Sequence, residues 1–382
     1  MKKFLDCISI VGATPSKFHG TKKYVSTGAV ATTEIDESEV VEVTYEDRPS
    51  RANLSAEAGD ILFAKMQGTR KTLLLDSETE ENIYSTGFYA VRANPEVITT
   101  ECLYYLIDSE LFLAQKDKNC SGATQKAITN GGMAKIEISV PALSEQGILV
   151  DKLKHLTQLI ADKKKQLNLF DEIIKSRFVE LFGDPDTNPF GWNEDVLSEH
   201  LEVIGGYAFK SDKFEDEGIP VLRIGNINSG RFLPVNMVYW NDDPTLDRYK
   251  MYPGDLVMSL TGTVGKDDYG NVCILGADFP EYYLNQRNAK LSLKPTLNAK
   301  YLSELLKFER IKRRLTGISR GVRQANISNK DILYLCVPIA PINLQQQFAA
   351  LVEQTDKSKF EIQQSLEKLE ILKKSLMQQY FG

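Results

Sequence analysis

The chain has 382 residues, with 46 Lys and Arg against 52 Asp and Glu for a formal net charge of −6. That length is too great for one core and suits two or more domains, and 42% hydrophobic with 26% charged residues is the balance of an ordinary globular chain. No apolar run approaches the roughly 20 residues of a bilayer span, and Asp6 interrupts the start Met1-Lys2-Lys3-Phe4-Leu5, so no membrane contact and a cytoplasmic location are expected.

In chain order, residues 1–141 mix short β-prone runs with Gly, Asn and Pro punctuation and contain one helical stretch, Thr100 to Gln115. A long helix without internal Pro is predicted over 142–183. Its seam steps by four and three through Leu149, Leu153, Leu156, Ile160, Lys163, Leu167, Phe170, Ile174, Arg177 and Leu181, with Gly183 placed to stop it. Residues 184–341 form a second mixed domain, with strand signals at Val221 to Ile224 and Val272 to Leu275 and a helical stretch from Ala299 to Leu315. A second long helix fills 342–382 from near Leu344. Its seam runs through Phe348, Val352, Thr355, Lys359, Ile362, Leu366, Leu369, Lys373, Leu376 and Tyr380, and Gly382 ends it. A helix of about 40 residues is about 60 Å long. Two narrow apolar stripes of that length are expected to pack on each other as an antiparallel coiled coil; the other arrangement lays each helix on its own globular domain.

The chain repeats itself. Ser176 to Gly183 matches Ser375 to Gly382, and Gln125-Lys126-Ala127-Ile128 matches Gln324-Ala325-Asn326-Ile327, both at an offset of 199. Pro141 matches Pro341 at 200, Gly59-Asp60 matches Gly254-Asp255 at 195, and Gly28 matches Gly225 at 197. The landmarks keep their order, so the chain is a duplicated domain-plus-helix unit. The expected class is α+β: two similar mixed α/β domains joined by two long helices.

Catalytic patterns are incomplete. Leu260 to Asp267 misses a P-loop at both ends, where Gly and Ser or Thr are required. Asn188-Pro189-Phe190 lacks the second Pro of an amino-methyltransferase motif and sits among turn formers, and no Gly-x-Gly-x-x-Gly loop follows a strand. Five cysteines (Cys7, Cys102, Cys120, Cys273, Cys336) and three histidines (His19, His155, His200) form no CxxC pair or shared cluster, so neither metal nor disulfides are expected. Against the acidic average, Lys307 to Arg323 holds seven basic residues and one acid, Glu309, a local cluster able to grip phosphates.

The two-half layout resembles the specificity subunits of Type I restriction–modification systems. The segments that carry the resemblance are Ser121 to Gln146 and Leu181 to Phe209 in the first half, then Ser319 to Phe348 and Leu372 to Gly382 in the second. It implies that the globular parts are target recognition domains, each reading one half of a split double-stranded DNA site. It implies that the helices serve as a ruler and as a dock for two methyltransferase subunits, joined by restriction subunits. Such a chain is a non-catalytic reader and scaffold, with S-adenosylmethionine, ATP and Mg²⁺ on its partners and no cofactor of its own. A coiled-coil scaffold, or a DNA-binding protein acting outside a restriction complex, is the alternative.

Residue chemistry nominates the contacts. Arg and Lys suit guanine or phosphate, and Asn and Gln suit adenine. In the second half the candidates are Arg320, Arg323, Gln324 and Asn326, the turn residues Thr261, Thr263 and Lys266, and the cluster Lys312, Arg313, Arg314. In the first half they are Gln125 and Lys126 with the turn residues Lys65, Gln67, Thr69, Arg70 and Lys71. For Gln125 and Gln324 the alternative is a structural bond at a helix start; for Lys312 to Arg314 it is a solvated helix face.

Overall fold

A computed structural model describes the chain except residues 228, 229, 265, 267 and 318–323, and gives the backbone but not the side chain of Gln324. The chain divides into two units, Met1–Lys165 with Gln363–Gly382, and Gln166–Ile362.

Both units are built on the same plan. In the first, an antiparallel sheet is ordered Ile8–Val11, Phe88–Ala93, Ile61–Ala64, Thr72–Leu74, and a second sheet is ordered Val41–Val43, Lys22–Val25, Ile83–Ser85, Ala52–Leu54 with its two middle strands parallel. In the second unit the counterparts are Leu201–Gly205, Asn288–Leu293, Leu256–Ser259, Val272–Ile274, and then Val238–Trp240, Ile219–Leu222, Tyr282–Leu284, Lys250–Met251, again with a parallel middle pair. The strand Ile61–Ala64 is buried on both faces, and its period of two splits it between two cores. Ile61 and Phe63 join the helices, while Leu62 and Ala64 face the second sheet. Leu256 and Met258 against Val257 repeat the division. The matched Gly-Asp landmarks are turns: Gly59 and Gly254 have φ of +86° and +91°, and the Asp60 and Asp255 carboxylates accept from the amides of Glu57 and Tyr252.

Each predicted helical stretch is in fact two helices. The first unit has α1 (Thr100–Ile107) and α2 (Glu110–Lys118), then the single turn α3 (Asn130–Met133). The break falls at Asp108-Ser109, where the Ser109 hydroxyl accepts from the Phe112 amide at 3.1 Å and so starts a new helix. The long helix α4 spans Leu143–Phe182. The second unit has α5 (Ala299–Leu305), α6 (Glu309–Thr316) and α7 (Asn329–Leu333), followed by the long helix α8 (Ile342–Phe381). Both long helices have 40 residues, and Gly183 has the positive φ, +78°, of a helix stop.

The long helices pair antiparallel within each unit. In the first, Leu149 and Leu153 share a core with Met377 and Phe381, and Lys164 pairs with Glu370 at 3.1 Å. In the second, Phe178 and Phe182 meet Phe348 and Val352, and Asp171 pairs with Lys359 at 2.5 Å. Leu156, Leu167, Ile174 and Leu366 are buried as the seam predicts; Ile160, Ile362, Leu369 and Leu376 are half-buried. The seam departs from prediction at both C-terminal ends. Phe178 and Phe182 are buried in place of Arg177 and Leu181, and Met377 and Phe381 lie deeper than Leu376 and Tyr380. The reason is that the last turns also cover a globular domain: Phe178 packs against Tyr301 and Phe308 at ring distances of 5.4 and 5.1 Å, so the buried face rotates toward it. Packing on the partner helix and on a globular domain thus coexist along one helix.

Candidate nucleic-acid interface

In the first unit the turn of residues 65–71 leaves the doubly buried strand Ile61–Ala64 and returns through Thr72–Leu74. It lies against the segment around Gln125: Met66 bridges Ala127 antiparallel, the Gln67 amide donates to the Lys126 carbonyl at 3.0 Å, and the Ile128 amide donates to the Lys65 carbonyl at 2.9 Å. Two candidate segments about 60 residues apart in sequence therefore form one lip.

The cations of that turn face inward. Lys65 Nζ donates to the Thr86 carbonyl at 2.9 Å and stands 4.3 Å from the centre of the Tyr89 ring, and burial lowers its pKa. Arg70 makes a bidentate pair with Asp108 at 2.9 and 2.8 Å, which raises its pKa. Lys71 donates to the Thr27 carbonyl. Beneath the turn, Lys116 of α2 is only 2% exposed; its ammonium donates to the carbonyls of Ala64, Met66 and Thr69 at 3.3, 2.9 and 2.7 Å. Burial lowers the Lys116 pKa, and Asp117, 3.6 Å away, opposes that shift. Gln67, Gln125 and Lys126 remain exposed at the lip, while Thr69 is half-buried.

The second unit builds the same junction. Thr261–Thr263 pairs antiparallel with Gln324–Asn326, Thr261 opposite Asn326, and the Ile327 amide donates to the Leu260 carbonyl at 2.8 Å. Thr261 is buried, its hydroxyl 3.0 Å from Asn326 Oδ1. The Thr263 hydroxyl and amide both donate to Asp268, at 2.9 and 2.8 Å, and the backbone bond chiefly lowers the Asp268 pKa. Lys266 and Asn326 are exposed. Arg320 and Arg323 lie outside the described residues, as does the side chain of Gln324.

Helix α6 carries the basic cluster on an amphipathic frame, with Ile311 and Leu315 buried. Arg313 pairs with Glu309 one turn back, Arg314 donates to the Cys336 carbonyl at 3.0 Å, and both are exposed. Lys312 differs: it is half-buried, and its ammonium reaches Asn271 Oδ1 at 2.5 Å. Arg310 stands 3.9 Å from Asp186.

The family model described as Type I restriction modification DNA specificity domain matches the chain twice, over residues 10–169 and 189–373. The chain belongs to this family. Among curated relatives, the putative type I restriction enzyme MjaX specificity subunit of Methanocaldococcus jannaschii is 28% identical over 50% of this chain and 46% of its own length. The MjaVIII specificity subunit of the same organism is 25% identical over 63% and 60%, and the EcoKI specificity subunit of Escherichia coli 22% over 46% and 39%. The matched stretches thus span about two fifths to three fifths of these relatives. Among solved structures, the Type I restriction–modification system S subunit from M. genitalium has the same fold at a TM-score of 0.56, 13% identical over 99% of this chain and 94% of that one. A chain from a study of complex assembly and conformational transition of the type I R-M system gives 0.52, 20% identical over 98% and 97%.

In the first specificity domain, sequence reasoning missed Asp108, Lys116 and Asp117, which hold the turn. A signal existed for Lys116. At the repeat offset of 199 it stands opposite Leu315, a core residue, which marks the position as interior. Gln146 and Gln345 at the starts of the long helices were missed as well; the repeat places them at the same offset, and both are fully buried.

Proposed function

We propose that this chain is the DNA-reading, non-catalytic specificity subunit of a Type I restriction–modification complex. Each specificity domain reads one block of a bipartite double-stranded site. The complex supplies the chemistry: two methyltransferase subunits carry S-adenosylmethionine, and restriction subunits use ATP and Mg²⁺. The observation that carries this reading is the duplicated junction, in which the strand-to-strand turn meets the segment 125–127 in one unit and 324–326 in the other. The first lip exposes Gln67, Gln125 and Lys126 and the second exposes Lys266 and Asn326, so each domain offers its own polar side chains on the same junction, as a reader of two half-sites requires. The cations of α6 fit the phosphate backbone and not base edges, because Arg310 and Arg313 stand on an open helix face.

The experiment is a gel shift with the full chain, alone and assembled with a co-expressed modification subunit, on duplexes selected from a randomised library. The assembled complex retains a duplex bearing two fixed blocks separated by unread pairs, and methylates it when S-adenosylmethionine is added. Methylation by the isolated chain, or no selected sequence with the complex, overturns the reading.

A further inference from the structure

We propose that the first specificity domain reads adenine in its half-site through the side-chain amides of Gln67 and Gln125, and not through the cations of its turn. The inference rests on the reading above, that this lip faces DNA. Four cations lie in or under the turn, and each is already committed: Lys65 to a carbonyl and a ring, Arg70 to Asp108, Lys71 to a carbonyl, and Lys116 to three carbonyls. Turning Arg70 or Lys116 outward would strand the buried Asp108 carboxylate or the carbonyls beneath the turn, which costs more than a surface contact returns.

The two glutamines are differently placed. Both are exposed, and the bridge between Met66 and Ala127 sets them on adjoining backbone. Gln67 uses one N–H to hold its position on the Asp117 carbonyl at 3.2 Å, and the Gln125 amide nitrogen rests against the Met66 sulfur. That leaves one N–H and the Oε1 acceptor on each. Adenine presents the complement in the major groove, an acceptor at N7 and a donor at N6; guanine presents two acceptors, which call for a donor-only group. The turn itself is well anchored, since the Gly68 amide also donates to Asp117 Oδ2 at 3.0 Å. Opposite Gln67 the second half has Gly262, so the amide pair belongs to the first domain alone.

The test is selection of a randomised duplex library by the assembled complex, with Gln67→Ala, Gln125→Ala and Gln125→Glu compared with wild type. Each Ala variant is expected to lower the preference for adenine at one position of one block by about 5- to 150-fold, the worth of a bidentate base contact, with the second block unchanged. Gln125→Glu, which keeps an acceptor and loses the donor, shifts its position toward cytosine. Thermal melting of the variants stays at the wild-type value, since both side chains are exposed. A wild-type two-block site that both Ala variants leave unaltered, or alters only at G·C pairs, overturns the amide assignment alone. A wild-type complex that selects no two-block site overturns both this inference and the reading beneath it.

Discussion

Gln146 and Gln345 stand 199 residues apart and make the same three hydrogen bonds, each in its own unit. Gln146 accepts from the Thr99 amide at 2.8 Å and donates to the carbonyls of Val97 and Pro141 at 3.1 and 3.0 Å. Gln345 accepts from the Asn298 amide at 2.8 Å and donates to Thr296 and Ala340 at 3.2 and 2.7 Å. Each ties the first turn of a long helix to the loop that starts the short helices of its domain. Gln146→Ala leaves an amide and two carbonyls without partners inside the protein and is expected to destabilise the first unit by about 2–4 kcal/mol. Denaturant unfolding measures it, with Gln158→Ala as the comparison: Gln158 is exposed and bonds only its helical neighbour Asp162, so its removal costs no more than about 0.5 kcal/mol.

Phe178 is 1% exposed, with the rings of Phe182, Tyr301, Phe308 and Phe348 at 4.8, 5.4, 5.1 and 5.5 Å. It joins the helix pair of the second unit to its globular domain. Phe178→Ala is expected to lower the stability of that unit by about 3–5 kcal/mol. Arg177→Ala, one residue away on the exposed side, changes it by no more than about 0.5 kcal/mol. Equal losses in the two variants would contradict the placement of the seam.

Burial pushes the Cys102 and Cys273 thiols from 9.0 up to about 12. With the folded value above the unfolded one, the contribution of each thiol is complete below pH 9 and is lost as pH rises toward 12, because the unfolded chain releases its protons first. The urea midpoint is expected to fall between pH 8 and pH 10, and to fall less in Cys102→Ala with Cys273→Ala. The buried tyrosines, Tyr84, Tyr104 and Tyr301, start from 10.0 and add to the loss only at higher pH.

Arg310 and Arg313 are exposed on α6, and their counterparts at the repeat offset are Leu111 and Ala114. Arg310→Ala with Arg313→Ala is expected to weaken DNA binding by the assembled complex for all sequences alike, and to reduce the slope of log affinity against log salt by about two. A changed base preference with an unchanged slope would make these residues readers and not phosphate anchors.

The long helices were legible because their pattern is local: apolar residues at steps of four and three, no proline, and Gly183 at the end. The duplicated plan was legible because turn landmarks such as Gly59-Asp60 and Gly254-Asp255 serve the same backbone need in both halves. The state of the turn cations was hidden. Nothing near Lys116 separates it from exposed Lys118, and its partners lie about 50 residues upstream. Arg70 likewise looked free to meet guanine until Asp108, 38 residues away, was found to occupy it. A side chain's type is set by its codon, but its availability is set by tertiary contacts, and only the repeat alignment carried any trace of those.

The central claim is that each specificity domain reads its own block of DNA, and domain exchange tests it most directly. Residues 184–338 are replaced by the equivalent region of a relative, and the assembled complex selects from a randomised duplex library beside wild type. The account predicts that one block changes to the relative's sequence while the other is retained base for base. Simultaneous change of both blocks, or retention of both, would contradict it.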